Sequence, residues 1–250
     1  MDTRYWGPSG WQLFHLIAFK TPPEDAREVL DDMKDILPCK FCRASTTEFV
    51  KKHPPRKPFG RWLYDIHNMV NNKLRTQCAD DPKVIDPGPD PSFEEVKAKY
   101  DAMEKPDGVP GRDFLMSVAY NFPMTPEPRD MSTQREFLHH LAVAYPYAEL
   151  RKVFQEYLKA HEPSLSSQKA YTHWMYELMR RLSEAVGVSI RSYRGYMGHL
   201  SYYKSGCKGK TYKGKTCRRV AKGVYTKDRN PNLTRRVASR SLLGGSKQRR

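Results

Sequence analysis

Hydrophobic positions along the first 187 residues recur with the period of a helix. In "PEDAREVLDDMKDIL", Val29, Leu30, Met33, Ile36 and Leu37 follow the 3.6-residue repeat, which predicts an amphipathic helix with one apolar stripe. "RASTTEFVKKH" continues as a short helix until Pro54 and Pro55 stop it. "FGRWLYDIHNMVNNKL" sets Phe59, Trp62, Leu63, Ile66, Val70 and Leu74 on one broad face. The stretch "VIDPGPDP", 84–91, reads as a turn-rich linker. After it, Ser92 and Glu95 form a capping box that opens the short helix "SFEEVKAKYDAM". Thr133 and Glu136 predict another capping box, ahead of "FLHHLAVAY". "AELRKVFQEYLKAH" aligns Leu150, Val153, Phe154, Tyr157 and Leu158. "AYTHWMYELMRRLSEAVG" aligns Tyr171, Trp174, Leu178 and Leu182 before a stop at Gly187. No alternating strand pattern precedes residue 187, so the expected fold class is all-α.

The two sets of helices resemble each other. Pro38, Arg43, Glu48, Lys51, His53 and Pro55 recur, at one constant offset, as Pro146, Arg151, Glu156, Lys159, His161 and Pro163. Upstream, "GPSGWQLFHLIAF" resembles "GVPGRDFLMSVAY"; downstream, "WLYDI" from Trp62 resembles "WMYEL" from Trp174. Order is preserved across the three blocks, which points to a duplication. An unrelated helical domain is the alternative. The second set keeps the helical frame and loses the chemistry: Cys39 and Cys42 align with Tyr147 and Leu150, Trp11 with Arg112, His15 with Met116, and His67, Asn68 and Asn71 with Met179, Arg180 and Ser183.

Charge divides the chain differently. The net charge of +16 conceals a basic tail, because residues 188–250 hold 18 Lys and Arg and a single acid, Asp228. The remaining 187 residues carry 26 basic and 27 acidic side chains and are nearly neutral. The end of that tail, "SLLGGSKQRR", has the composition of a disordered segment. The tail has three readings: an electrostatic contact to nucleic acid or an acidic partner, an inert solvated extension, or a mobile carrier of Cys207 and Cys217. Five cysteines in 250 residues exclude a disulfide scaffold, and no apolar run approaches a membrane span. The first residues lack the basic and apolar regions of a signal peptide, so a cytoplasmic location is expected.

Cys39 and Cys42 in "ILPCKFCRAS" are the chemical focus. A structural zinc site wants four ligands, and no second Cys-x-x-Cys exists. A redox pair fits better: two cysteines at i and i+3 on the first turn of a helix can close a disulfide, and the helix N-terminus favours the thiolate. A thioredoxin-like fold would need flanking strands, so this pair needs another electron acceptor. Trp11 and His15 share one helix face, as do His67 and Asn71, with Asn68 and Lys73 nearby. Such aromatics, imidazoles, amides and cations can cradle a flat, phosphate-bearing cofactor. Taken singly, each also has an ordinary structural explanation.

"WGPSGWQLFH", "LPCKFC" and "WLYDIHNMVNNKL" resemble, in order and spacing, the Erv/ALR family of FAD-linked sulfhydryl oxidases. The pattern Trp-x-x-x-His, Pro-Cys-x-x-Cys, His-Asn-x-Val-Asn-x-Lys is met at Trp11/His15, Pro38 to Cys42, and His67 to Lys73. "SFEEVKAKY" resembles the family's last short helix, with Lys99 and Tyr100 at the adenine end of the cofactor. The resemblance spans residues 4 to about 103, and the chain looks like members from large DNA viruses, which implies a location in the host cytoplasm or virion.

The resemblance implies a four-helix bundle with a short fifth helix, 1–104, binding FAD through Gly7, Trp11, His15, His67, Asn68, Val70, Asn71, Lys73, Leu74, Lys99 and Tyr100. It implies oxidation of dithiol protein substrates, with dioxygen reduced to hydrogen peroxide, no metal, exchange at Cys39 and electron delivery from Cys42. It further implies that residues 105–187 are a degenerate copy forming an internal pseudo-dimer, as in quiescin-type relatives, with a further homodimer open and 188–250 a basic, partly disordered tail. A second disulfide found in many members would fall at Tyr64 and Phe93 and is missing, while Cys78 has no evident partner. The competing function is a non-enzymatic, basic, nucleic-acid-binding helical protein.

Overall fold

The computed structural model describes residues 2–80, 84 and 86–204. All regular structure among them is helical: α1 (Thr3–Lys20), α2 (Pro23–Ile36), α3 (Lys40–Lys52), α4 (Phe59–Asp80), α5 (Phe93–Asp101), α6 (Arg112–Tyr120), α7 (Pro128–Ala144), α8 (Ala148–Ala160), α9 (Gln168–Ala185) and α10 (Tyr193–Tyr202). The all-α expectation holds. Among the described residues, no helix is long and apolar enough to cross a membrane.

The boundaries follow local chemistry. The Asp2 side chain accepts from Arg4 N and caps α1. Ser92 and Glu95 form the expected reciprocal capping box on α5. After α9, Gly187 adopts φ 68°, and the N–H groups of Gly187 and Val188 return to Glu184 O and Ser183 O, the signature of a left-handed helix stop. The start of α7 corrects the sequence expectation. Thr133 lies inside the helix, and the capping box is made by Glu127 and Asp130, with Pro128 at the first helical position where its missing N–H costs nothing. Residues 86–90 are pinned to α4: Arg75 donates to Gly88 O and pairs with Asp90 at 2.7 Å.

Helices α1 to α4 pack on one another around a shared interior, and α5 lies against α1 and α4. At the expected site of the missing disulfide, Tyr64 and Phe93 meet edge to face at 5.6 Å, with the Arg61 guanidinium over both rings. Helices α6 to α9 repeat the same neighbour relations: α6 on α9, α7 on α8, α8 on α9. Two hydrogen bonds recur at aligned positions. Trp62 Nε1 donates to His53 O at 2.8 Å, as Trp174 Nε1 does to His161 O at 3.0 Å. The Arg43 guanidinium donates to Leu37 O, as Arg151 Nε does to Tyr145 O at 2.8 Å.

The two halves join through α1 on α6 and α2 on α7, within one continuous core. The α1–α6 contact is reciprocal. A Cβ on Gly10 would meet the Phe114 ring at 3.1 Å, and one on Gly111 would meet Leu13 at 2.5 Å. Gly10 aligns with Gly111, and Leu13 with Phe114. Each half thus presents the same glycine to the same large residue of the other, the mark of a two-fold type of contact. Between α2 and α7, His140 Nδ1 lies 2.8 Å from Asp32 Oδ2.

Helix α10 was not foreseen. Gly195 and Gly198 interrupt its pattern, yet Tyr196 and Leu200 are buried. It packs beside the start of α1: Asp2 N donates to Tyr203 O, and Tyr5 stacks on Tyr203 at 4.4 Å. The first part of the basic tail is therefore ordered against the body. Its remainder, with Cys207 and Cys217, lies outside the described residues.

Gly111→Ala should destabilise the chain by about 2 kcal/mol, because it combines a φ of 75° with a clash against Leu13. Gly108→Ala, which opens onto empty space, should change stability by no more than roughly 0.5 kcal/mol. Urea unfolding of the two variants checks the difference, and equal midpoints would contradict the close-approach account.

Candidate functional site

A cavity of about 670 Å³ opens between α1, α3, α4 and α5. Helix geometry brings its walls together. On α1, Gly7 and Trp11 are four residues apart and both line it; on α4, His67, Val70, Asn71 and Leu74 fall at the i, i+3, i+4, i+7 positions of one face. Helix α3 contributes the cysteines, with Cys39 as its N-cap residue and Cys42 in the first turn. Both line the cavity at the positive end of the helix. Cys39 is the more buried, at 2% exposure, and Cys42 is half-buried. Lys73 from α4 and Lys99 and Tyr100 from α5 complete the expected wall.

Two expected residues stand elsewhere. His15 is buried behind the wall, where its Nε2 lies 3.0 Å from His67 Nδ1 and its ring stacks on Tyr100 at 5.0 Å. It touches the cavity wall at His67 and Tyr100. Asn68 is half-buried on α4 and does not line the cavity, being one step around the helix from the lining face.

The wall is rigid and mostly apolar. Trp11 stacks on His67 with ring centroids 3.8 Å apart and planes within 11°. Burial, the largest cause, pulls the His15 pKa down to about 3, helped by His67 and Lys99. Burial likewise pulls His67 down to about 4, with Asp90 opposing. Both imidazoles are therefore neutral at pH 7, and one must donate to the other across their 3.0 Å contact. Burial also pushes the Tyr100 phenol up to about 12. Asn71 Nδ2 donates to Asp90 at 2.7 Å, which leaves its amide oxygen for a donor in the cavity. Lys73 is held by the Ser45 hydroxyl, one turn beyond Cys42.

Several contributors were not singled out by the sequence reading. Trp6, in the same Trp-Gly pair as Gly7, lines the cavity and is 6% exposed. Its Nε1 and His15 Nδ1 are buried without a hydrogen-bond partner among the described residues. A buried donor left unmet costs about 1–3 kcal/mol, so the Trp6 Nε1–H, in the cavity wall, is suited to a polar ligand. Trp6 was legible as part of the Trp-Gly motif. Asp90 and Ser45 were not, since their roles arise from tertiary contacts 19 and 28 residues distant. Flat aromatic walls, the unmet Trp6 N–H and two lysines form a donor set that fits a planar heterocycle carrying phosphate. Among the described residues, no cluster of His, Cys, Asp or Glu has the makings of a metal site.

Comparison with known proteins agrees with where these residues fall. The Erv1 / Alr family profile matches residues 8–87. The chain is 31% identical over 85 residues to the mitochondrial FAD-linked sulfhydryl oxidase ERV1 of Saccharomyces cerevisiae, covering 30% of this chain and 45% of that protein. It is 34% identical over 79 residues to an FAD-linked sulfhydryl oxidase of Oryza sativa, covering 27% and 41% respectively. With the FAD-linked sulfhydryl oxidase of African swine fever virus, identity is 31% over 81 residues, covering 28% of this chain and 68% of that protein. No solved structure matches significantly. The chain spans less than half the length of the yeast and rice proteins. The aligned region nevertheless holds both cysteines and most of the cavity wall, and it accounts for two thirds of the viral protein at this level of identity, so the chain belongs to the Erv1 / Alr family.

Proposed function

We propose that this protein is an FAD-dependent sulfhydryl oxidase that forms disulfides in dithiol protein substrates. The observation that carries the reading is the Cys39–Cys42 pair in the wall of a cavity whose other walls suit a flavin nucleotide. The chemistry that a bound FAD supplies is two-electron acceptance from a dithiol and reoxidation by dioxygen, with the balance 2 R–SH + O2 → R–S–S–R + H2O2.

The chain's own residues do the rest. A substrate thiolate attacks Cys39 Sγ of the 39–42 disulfide, a mixed disulfide forms, and Cys42 leaves as the thiolate. The second substrate thiol attacks the mixed disulfide, which releases oxidised substrate and returns Cys39 as a thiol. Position at the N-terminus of α3 stabilises the Cys42 thiolate. Trp11 and His67 supply a flat, fixed wall, and Trp6 Nε1 supplies an unmet donor. Neutral His15 and His67 keep positive charge out of this part of the wall, while Lys73 and Lys99 supply cations for the diphosphate.

The second half, 105–187, is on this reading a copy without a cofactor that takes the place of a partner subunit. Support comes from the reciprocal Gly10/Phe114 and Gly111/Leu13 contacts and from the hydrogen bonds shared by aligned residues. Its interior is filled: Met116, Leu150 and Met179 stand at the positions of His15, Cys42 and His67, each no more than 1% exposed. The net charge of the tail supports an electrostatic contact to nucleic acid or an acidic partner, compatible with the oxidase.

Oxygen uptake with dithiothreitol as electron donor tests the activity. Cys42→Ser and Cys39→Ser should each lower turnover by about a hundredfold or more while leaving the fold intact; turnover near wild type in either would contradict the redox pair. A second outcome concerns acid. The folded-state pKa values of His15 and His67 lie below the unfolded value near 6.5, so the unfolded chain binds more protons below pH 6.5. Their contribution to stability is complete above that pH and falls as pH drops from 6.5 towards 4. His15→Met, the residue its counterpart already has, should flatten the pH dependence of the urea midpoint over that window, and an unchanged slope would contradict burial of a neutral pair.

A further inference from the structure

His15 on α1 and His67 on α4 are joined by one hydrogen bond whose direction sets the chemistry of the cavity wall. His15 Nε2 lies 3.0 Å from His67 Nδ1. Burial keeps both rings neutral at pH 7, and Lys99 adds to the effect on each. Each neutral ring carries one hydrogen, on either of its two nitrogens. Two arrangements satisfy the contact. In the first, both rings are Nε2–H tautomers: His15 donates to His67, and His67 keeps its hydrogen on Nε2. In the second, both are Nδ1–H tautomers: His67 donates to His15, and His15 keeps its hydrogen on Nδ1.

The surroundings separate them. His15 is 2% exposed, and its Nδ1 is buried with no hydrogen-bond partner among the described residues. The second arrangement strands an N–H at that atom. The first leaves only a lone pair there, and orphaned N–H groups are the rarer of the two in folded chains. The first also gives both rings the tautomer that a free imidazole side chain prefers. On the far side, His67 lines the cavity, and its Nε2 is not buried and has no hydrogen-bond partner among the described residues. The nearby Asp90 carboxylate is taken up by Asn71 and Arg75. Stacking on Trp11 at 3.8 Å fixes the plane of the His67 ring and so the direction of a hydrogen on Nε2. In the second half the aligned residues are Met116 and Met179, so this donor and the residue that sets it are lost together.

We propose that His15 is a positioning residue: its Nε2–H holds His67 in the Nε2–H tautomer, so that the wall presents a neutral N–H donor to an acceptor atom of the bound heterocycle. The identity of that heterocycle rests on the functional reading above; the tautomer does not. With Trp6 Nε1–H, the His67 donor gives a largely apolar wall two uncharged N–H groups, which suit a ring system with nitrogen or carbonyl acceptors.

Long-range proton–nitrogen NMR correlations of the histidine rings, recorded on the full-length protein at pH 7 without added FAD, read the tautomers directly. His15 and His67 should each show a protonated Nε2 and a bare Nδ1. Hydrogen on His67 Nδ1, in full or in part, would overturn the inference. FAD affinity, from flavin fluorescence on titration, supplies the second test. His15→Met fills the space and removes the donor, and it should weaken FAD binding about tenfold. His15→Gln, whose amide N–H can stand where Nε2 does, should bind within about twofold of wild type. A packing role alone would rank the variants the other way, with methionine tolerated and the buried amide not, and that order would also overturn the inference. A wild-type chain that binds no FAD would overturn the functional reading, while the tautomers of the same chain still decide this one.

Discussion

Helix α1 has to serve two surfaces at once, and the rest of the molecule depends on how closely its outer face can be approached. One face presents Gly7 and Trp11 to the cavity. The adjoining face presents Gly10 and Leu13 to α6. Side chains at 10 and 111 would hold α1 and α6 apart, and only glycine tolerates both the contact and, at 111, a φ of 75°. With the two helices in contact, Leu13, Phe14, Ile17, Phe114 and Leu115 become a common interior. A 104-residue helical unit buries a limited share of its surface by itself. The second half removes the exposed apolar face of α1 and α2 without adding a second site.

That division of labour explains the chemistry at each aligned position. In the first half, a cavity walled by Trp11, His67 and Tyr100 leaves buried polar atoms to be met by a ligand. Such atoms are costly in an apolar setting, and the histidines respond by staying neutral. In the second half, the corresponding space is closed by Met116, Leu150 and Met179, which need no hydrogen bonds and pack to interior density. One half carries the cost of a functional cavity, and the other contributes an ordinary core.

Much of this was legible in the sequence because the relevant residues recur at helical spacing. The 3.6-residue stripe located α2, α4, α8 and α9, the prolines at 54 and 55 marked the end of α3, and the capping box at Ser92 located α5. Trp11, the cysteines and the α4 face were readable as motifs, and the structure gathers them around one cavity. The start of α7 was not, because Thr133/Glu136 matches the capping-box pattern and the true Glu127/Asp130 pair does not, and only Pro128 at the first helical position marks the start. Helix α10 escaped because Gly195, just before Tyr196, and Gly198, between Tyr196 and Leu200, suit a loop equally well. His15 lay on the correct helix face, yet its place behind His67 is set by the crossing of α1 and α4, which no local pattern encodes. The same holds for Asp90 and Ser45.

The central claim is that one half of this chain holds a flavin and the other half only supports it. The ratio of bound flavin to protein, from visible and ultraviolet absorbance of the purified full-length chain, tests that claim most directly. The account predicts one FAD per chain, bleached by anaerobic dithiol and restored by air. Two flavins per chain would contradict the closed second half, and none, even after incubation with FAD, would contradict the reading of the cavity itself.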